Sequence, residues 1–462
     1  MSVVARPWNR LSLAGKLALP TLIGLGILGL IILAGTSFGI IPFIATWIVQ
    51  LLADNIGIVR FVIAATLILL LAPPMAFIII YLEMKVIALM NQRIGPNRVG
   101  PWGTLQSTIH GLKVLAKEDF TPTAADVPVF TLAPVVVFLA IVMTAMVLPF
   151  APGLYGQDFN IGLLYFFAVG GISVVGVMMG GWASFNKYSL IGAVRAAVLA
   201  ISYEIPLTLS VVGVILLAGT MSLNRIVALQ SGSFLDWYVV QQPLAFLIFF
   251  IAALAESNRT PFDFTEADSE IVAGAFTEYS GMRFGFFFFA EYVNLLVLAG
   301  LTVTVFFGGW NAPISLDPIL AWLGIATPFT VGLDFGQLGL GLLFALLLVP
   351  LIATLVLTLP VWMLRSTWPW WKALIVGFLL LNVIVGGLAL LWLAITFPWV
   401  MGLFWFLAKS FFFVIVFIWL RATLPRVRVD QLMGFAWKWL LPAALVNIFV
   451  TAAAVLIVQQ LR

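Results

Sequence analysis

Cysteine is absent and histidine occurs once, at His110. The chain alone therefore cannot hold a cysteine-ligated iron–sulfur cluster or a bis-histidine haem. Charge is scarce too: Asp, Glu, Lys and Arg make up 9% of the 462 residues, against about 25% in a soluble domain. No glycine-rich phosphate loop, nucleophile–base pair or metal-ligand spacing occurs, so neither catalytic nor metal-ligating residues are assigned. Low-complexity tracts and internal repeats are missing as well. Redox chemistry involving this chain needs its electron carriers on another subunit.

Long apolar runs are what the chain has instead. Hydrophobic residues make up 63% and the mean hydropathy is +1.18, values of an integral membrane protein. About 20 residues span a hydrocarbon core. The runs 17–35, 60–89, 128–149, 161–182, 190–218, 242–257, 284–307, 337–364, 372–397, 401–421 and 436–459 give an all-α polytopic protein with about 11 transmembrane helices. The run 242–257 is short, and 40–53 is placed at the interface. The runs are continuous, without the alternation of a barrel.

Basic residues set the orientation. With a cytoplasmic N-terminus, only Arg60, Arg225, Arg462 and the intramembrane Lys409 of the 22 basic residues fall away from the cytoplasmic side. The net charge of +4 thus reflects insertion rather than nucleic-acid binding.

Two cytoplasmic connections stand out. Residues 91–128 open with turn-forming Gly95-Pro96 and Gly100-Pro101. Leu105, Ile109, Leu112 and Leu115 follow at helical spacing and predict an amphipathic helix over 103–117, on the membrane surface or under a partner. Arg93 and Arg98 among the turns suggest a docking surface or headgroup contact, while Lys113 and Lys117 read as interfacial anchors. Residues 255–281 hold Glu256, Asp263, Glu266, Asp268, Glu270 and Glu278. Asp263, Glu266 and Glu270 would share one helix face and repel unless packed, where such acids could share protons. Phe262, Phe264, Ile271, Val272 and Phe276 interleave with them, so the segment is expected to fold against something.

Charges also enter the apolar runs. At about 1.5 Å per residue from the cytoplasmic helix ends, Glu256 lies near the surface, Arg195 roughly 7 Å in, Glu291 roughly 10 Å, Lys409 roughly 18 Å and Glu204 roughly 21 Å. A charge at the bilayer centre costs about 3 kcal/mol on insertion scales, so it faces a cavity or a partner. Either Glu204 pairs with a basic residue such as Lys409, or the acids at graded depth form a polar path.

Three stretches carry a resemblance: EMKVIALMNQRIGPNRVGPWGTLQ with KVLAKED; GWASFNKYSLIGAVRAAVLAISYEIPL; and AESNRTPFDFTEADSEIVAGAFTEYSGMRFGFFFFAEY. Together with FIWLRATLPRVRVDQLMGFAWK they resemble, in order, the H-type membrane subunit of proton-pumping NADH:quinone oxidoreductase, respiratory complex I. The resemblance covers about 60–310 and 400–462. It implies an eight-helix core, here with an N-terminal addition in 1–59 and an inserted loop and helix pair in 311–399. It also implies a bacterial inner-membrane protein that anchors the redox arm, among other membrane and hydrophilic subunits. Quinone would be substrate, with iron–sulfur clusters, FMN and NADH in the partners and no cofactor on this chain alone. The implied quinone-lining group is Arg93, Arg98, Lys113, Phe276, Glu278 and Arg283. The implied proton path is Glu204, Glu256, Glu291, Asp263, Glu266, Asp268, Glu270, Arg195 and Lys409. Glu83-Met84-Lys85 departs from a Glu-Arg-Lys-like signature. The alternatives are the equivalent subunit of an ion-pumping hydrogenase or other quinone-reducing complex, and a stand-alone secondary transporter.

Overall fold

The computed structural model describes residues 56–231, 234–262, 274–313 and 398–461. The chain divides into two compact units, Met1–Ile63 and Ala64–Arg462, and the contacts below all lie in the second. The described residues are helical, apart from turns, loops and one isolated bridge between Ala151 and Leu154. In order they form α1 (Ile56–Met90), α2 (Gln106–Ala116), α3 (Val127–Ala145), α4 (Gly162–Gly170), α5 (Ile172–Ala183) and α6 (Lys187–Ala218). Then come α7 (Leu223–Leu229), α8 (Pro243–Glu256), α9 (Gly281–Phe306), α10 (Pro398–Thr423), α11 (Val429–Phe435) and α12 (Leu441–Leu461). A π-helical turn, Ala436–Leu440, joins α11 to α12.

Seven helices among the described residues are long and apolar enough to cross a membrane, counting α4 with α5 and α11 with α12 as single spans. The 14-residue α8 is apolar but shorter. Each apolar run expected within the described residues is therefore a helix. The expected spans 17–35, 337–364 and 372–397, and the interfacial stretch 40–53, lie outside them.

Local chemistry explains the ends. α6 starts where the Asn186 side chain accepts the Tyr188 N–H at 2.9 Å, and stops at Gly219 in a left-handed conformation. Proline in the first turn opens both α3 and α8. Small residues then let helices approach closely, as expected where packing rather than water drives association. A Cβ on Gly181 of α5 would lie 2.2 Å from that of Ala193 on α6. One on Gly192 would lie 2.6 Å from the Gly274 backbone, so α6 receives the 274–276 turn directly.

The predicted amphipathic helix is α2, and its faces are informative. Ser107 is buried, a Cβ on Gly111 would meet the Phe77 ring of α1 at 2.6 Å, and Val114 packs on Gly285 of α9. The small face docks inward, while Leu105, Ile109, Leu112 and Leu115 stay exposed. Ahead of it, Lys85 Nζ donates to the Pro96 carbonyl at 2.7 Å and the Tyr81 hydroxyl to that of Trp102 at 3.3 Å, folding the turn-rich loop onto α1.

Helix ends are not level with one another. The Tyr203 hydroxyl, midway along α6, donates to the Leu432 carbonyl near the start of α11 at 3.1 Å. Depth counted from each helix end is therefore not comparable between helices. This changes the arrangement of the buried acids.

Candidate functional site

α6, α8 and α9 bring three carboxylates together. Glu291 and Glu256 line a cavity of about 70 Å³ with Ser173, Asn258, Phe276 and Asn294. A second cavity, about 30 Å³, is lined by Glu256, Glu204, Thr144, Ser173 and Asn294. Glu256, Ser173 and Asn294 belong to both linings. Volumes of this size hold waters, given polar partners, and here the partners are carboxylates, amides and hydroxyls. Glu256 Oε2 is buried and has no hydrogen-bond partner among the described residues. Glu204 packs against Gly171 at the α4–α5 junction, where a Cβ would stand 3.2 Å from its Oε1. The three acids expected at graded depth adjoin one another in the order Glu291–Glu256–Glu204, each sharing a cavity with the next.

One end of this chain meets a buried ion cluster. The Arg259 guanidinium, 4% exposed, lies 3.3 Å from Glu83 of α1 and 3.7 Å from Glu291, and stacks 4.2 Å over the Tyr292 ring. Arg421 of α10 also pairs with Glu83. Burial alone would lower the Arg259 pKa; Glu291 and then Glu83 pull the other way and win, so the guanidinium is held charged. Two acids facing two arginines offset the desolvation that a single buried charge would suffer. Arg259 Nη2 has no hydrogen-bond partner among the described residues.

The expected quinone-lining residues fall in three places. Phe276 lines the larger acid cavity, with its ring 4.6 Å from that of Phe287. Glu278 accepts from Asn186 Nδ2 at 2.6 Å, tying the 274–276 turn to the start of α6. Arg283 pairs with Asp119 at 3.2 Å beside the Phe130 ring. Arg93, Arg98 and Lys113 are exposed, the first two in the folded-back loop and the third on α2.

Of the expected proton-path residues, Arg195 is half-buried on α6, next to Ala196 and Ala197, which line the larger cavity. Asp263, Glu266, Asp268 and Glu270 lie outside the described residues. Lys409 stands elsewhere. Its ammonium donates to the carbonyls of Phe307 at 2.7 Å, Gly309 at 3.0 Å and Asn311 at 2.5 Å, and lies 4.4 Å from the Trp237 ring. Its three donors are met by backbone of the segment that follows α9. Among the described residues no ion pair joins it to Glu204.

Sequence reasoning leaves Glu83, Arg259, Arg421, Tyr292 and Asn294 out of the site. The available signal is Glu83, the lone acid in the run 60–89. Its partners lie 176 and 338 residues away, beyond any local pattern.

Apolar helices enclosing an ion cluster and a linked set of carboxylates define a polytopic membrane protein with an ionisable interior. The chain belongs to the NADH dehydrogenase family, whose model matches residues 61–373 and 370–452. Among similar proteins is the H-type subunit of NADH-quinone oxidoreductase from Geobacillus kaustophilus, 43% identical over 387 residues, covering 83% of this chain and 91% of the relative. The protein of the same name from Anoxybacillus flavithermus is 43% identical over 371 residues, covering 80% and 86%. That of Dehalococcoides mccartyi is 38% identical over 385 residues, covering 83% and 84%.

Proposed function

We propose that this chain is the membrane subunit of an NADH:quinone oxidoreductase that anchors the redox arm, lines the quinone chamber and links quinone reduction to proton movement. The subunit assignment rests on the family and on the names of its relatives. The observation that carries the coupling role is the pair of adjoining cavities that share Glu256. Two carboxyl groups on one small cavity can hold a proton between them and pass it on through water. Phe276 on the same cavity as Glu256 and Glu291 supports a quinone chamber that borders this chain of acids. Arg259, fixed by Glu83 and Glu291, would set the field where the two meet. Iron–sulfur clusters, FMN and NADH belong to partner subunits in this reading. The membrane would be the bacterial inner membrane, with the N-terminus cytoplasmic and Arg462 outside. The 311–399 insert would serve peripheral packing.

A photoreactive quinone tests the chamber in the assembled complex. Crosslinks on this chain within 274–283 and around Arg93 are expected, and competition by unlabelled quinone should abolish them. Labelling confined to other subunits would overturn the chamber assignment.

A further inference from the structure

Lys438 is the single charged residue between Asp430 and Arg462, in an otherwise apolar α11–α12 span. No acid follows Asp430 in the sequence, and Asp430 pairs with Arg428 at 3.3 Å. Lys438 has no ion pair or hydrogen bond with a described residue, and its side chain is exposed. It is flanked by Trp437 and Trp439, 49% and 70% exposed. Here Trp437, Lys438 and Trp439 lie in the π-helical turn Ala436–Leu440, between the buried Ala436 and Leu440. The turn is held in place from behind: Ala436 and Leu440 are buried, and Trp437 Nε1 donates to Ser202 of α6 at 3.3 Å.

We propose that Lys438 and the Trp439 indole bind the phosphate of an anionic phospholipid in the leaflet at the α11 end. An exposed ammonium without an ion pair among the described residues, on an apolar span, needs an anion, and the bilayer supplies one at its headgroups. Lys438 stands nearer the Val429 end than the Gln460 end of its apolar span, and helical side chains lean toward the N-terminus, so the lysine stem reaches toward that end. Trp439 keeps its indole N–H for the same phosphate, because Trp437 alone spends its own on Ser202. Indoles favour this depth, with an apolar body and one polar edge. Lys438 and Trp439 thus form a small cationic and aromatic headgroup site on this turn.

Phospholipid retained by the purified assembled complex tests this, counted by mass spectrometry in the natural protein, Lys438→Gln, Lys438→Arg and Trp439→Leu. Lys438→Gln should lose about one anionic lipid per complex, with zwitterionic lipid unchanged. Lys438→Arg should keep it and Trp439→Leu should retain it in part. An unchanged anionic count in Lys438→Gln overturns the proposal. So does loss of a neighbouring membrane subunit at constant lipid, which would assign the lysine to a protein carboxylate. If Lys438→Gln fails to assemble, an unchanged count in Trp439→Leu overturns it instead. The readout is lipid and not turnover, so it stands or falls apart from the quinone and proton assignments.

Discussion

Glu256 and Lys409 are both ionisable groups inside apolar helices, and the structure treats them in opposite ways. Lys409 has each of its three donors on a backbone carbonyl and a tryptophan ring beside it. Glu256 has an oxygen without a partner among the described residues and lines two cavities at once. The first arrangement is a cross-helix clasp: the chain leaving α9 at Phe307, Gly309 and Asn311 turns three carbonyls to one point, and α10 supplies an ammonium. The second leaves room for water and a mobile proton. Buried charge alone does not mark a functional group; incomplete satisfaction beside a polar cavity does.

The largest effect should come from the ion cluster that frames the acids. Glu83→Gln leaves Arg259 and Arg421 facing each other with one carboxylate fewer, a loss of about 3–5 kcal/mol for a broken buried pair. The expected outcome is little assembled complex, read from subunit yield on native gels. Normal yield would mean that the cluster does not hold α1, α9 and α10 together. Next comes Glu256→Gln, expected to keep assembly while cutting coupled quinone reduction by roughly tenfold or more, in the range of losing a proton-transfer group. Activity and yield measured on the same membranes separate the two.

Lys409→Met should do the reverse of Glu256→Gln. It leaves three carbonyls without a donor, at about 1–3 kcal/mol for each buried group that water cannot reach. Thermal stability and yield should fall while turnover per assembled complex stays near normal. Combined with Glu204→Gln, its effect should add within about 0.5 kcal/mol, because no ion pair joins the two residues. A double variant that recovers what each single loses would restore the Glu204–Lys409 pair as the right description. The smallest effect is expected from Gly171→Ala, whose new Cβ would stand 3.2 Å from Glu204 Oε1. The carboxylate must shift by a few tenths of an ångström, and coupled turnover should drop by about twofold while stability changes little.

The helices are legible in the sequence because hydropathy carries them: the eight expected runs within the described residues are α1, α3, α4–α5, α6, α8, α9, α10 and α11–α12. The identities of Glu204, Glu256 and Glu291 are legible too, since an acid in an apolar run is conspicuous. Their arrangement is not. Counting residues from helix ends assumes level ends, and Tyr203 bonded to Leu432 shows that α6 and α11 start at different heights. The same count puts Lys409 beside Glu204, whereas its partners are backbone carbonyls, which have no sequence signature. The nearest hint is Gly308-Gly309, both left-handed, where the chain turns those carbonyls toward one point. The apolar stripe of α2 is plain in the sequence, but its docking face is the one with Ser107, Gly111 and Val114, where two of the three residues are small and not hydrophobic.

Proton translocation per electron, measured in vesicles for Glu204→Gln, Glu256→Gln and the double variant, tests the shared chain of carboxylates most directly. Both residues line one cavity and would act in series, so either single change should uncouple the complex and the double should be no worse than the more damaged single. Normal coupling in Glu204→Gln, or damage in the double that multiplies that of the two singles, would contradict a single path through Glu291, Glu256 and Glu204.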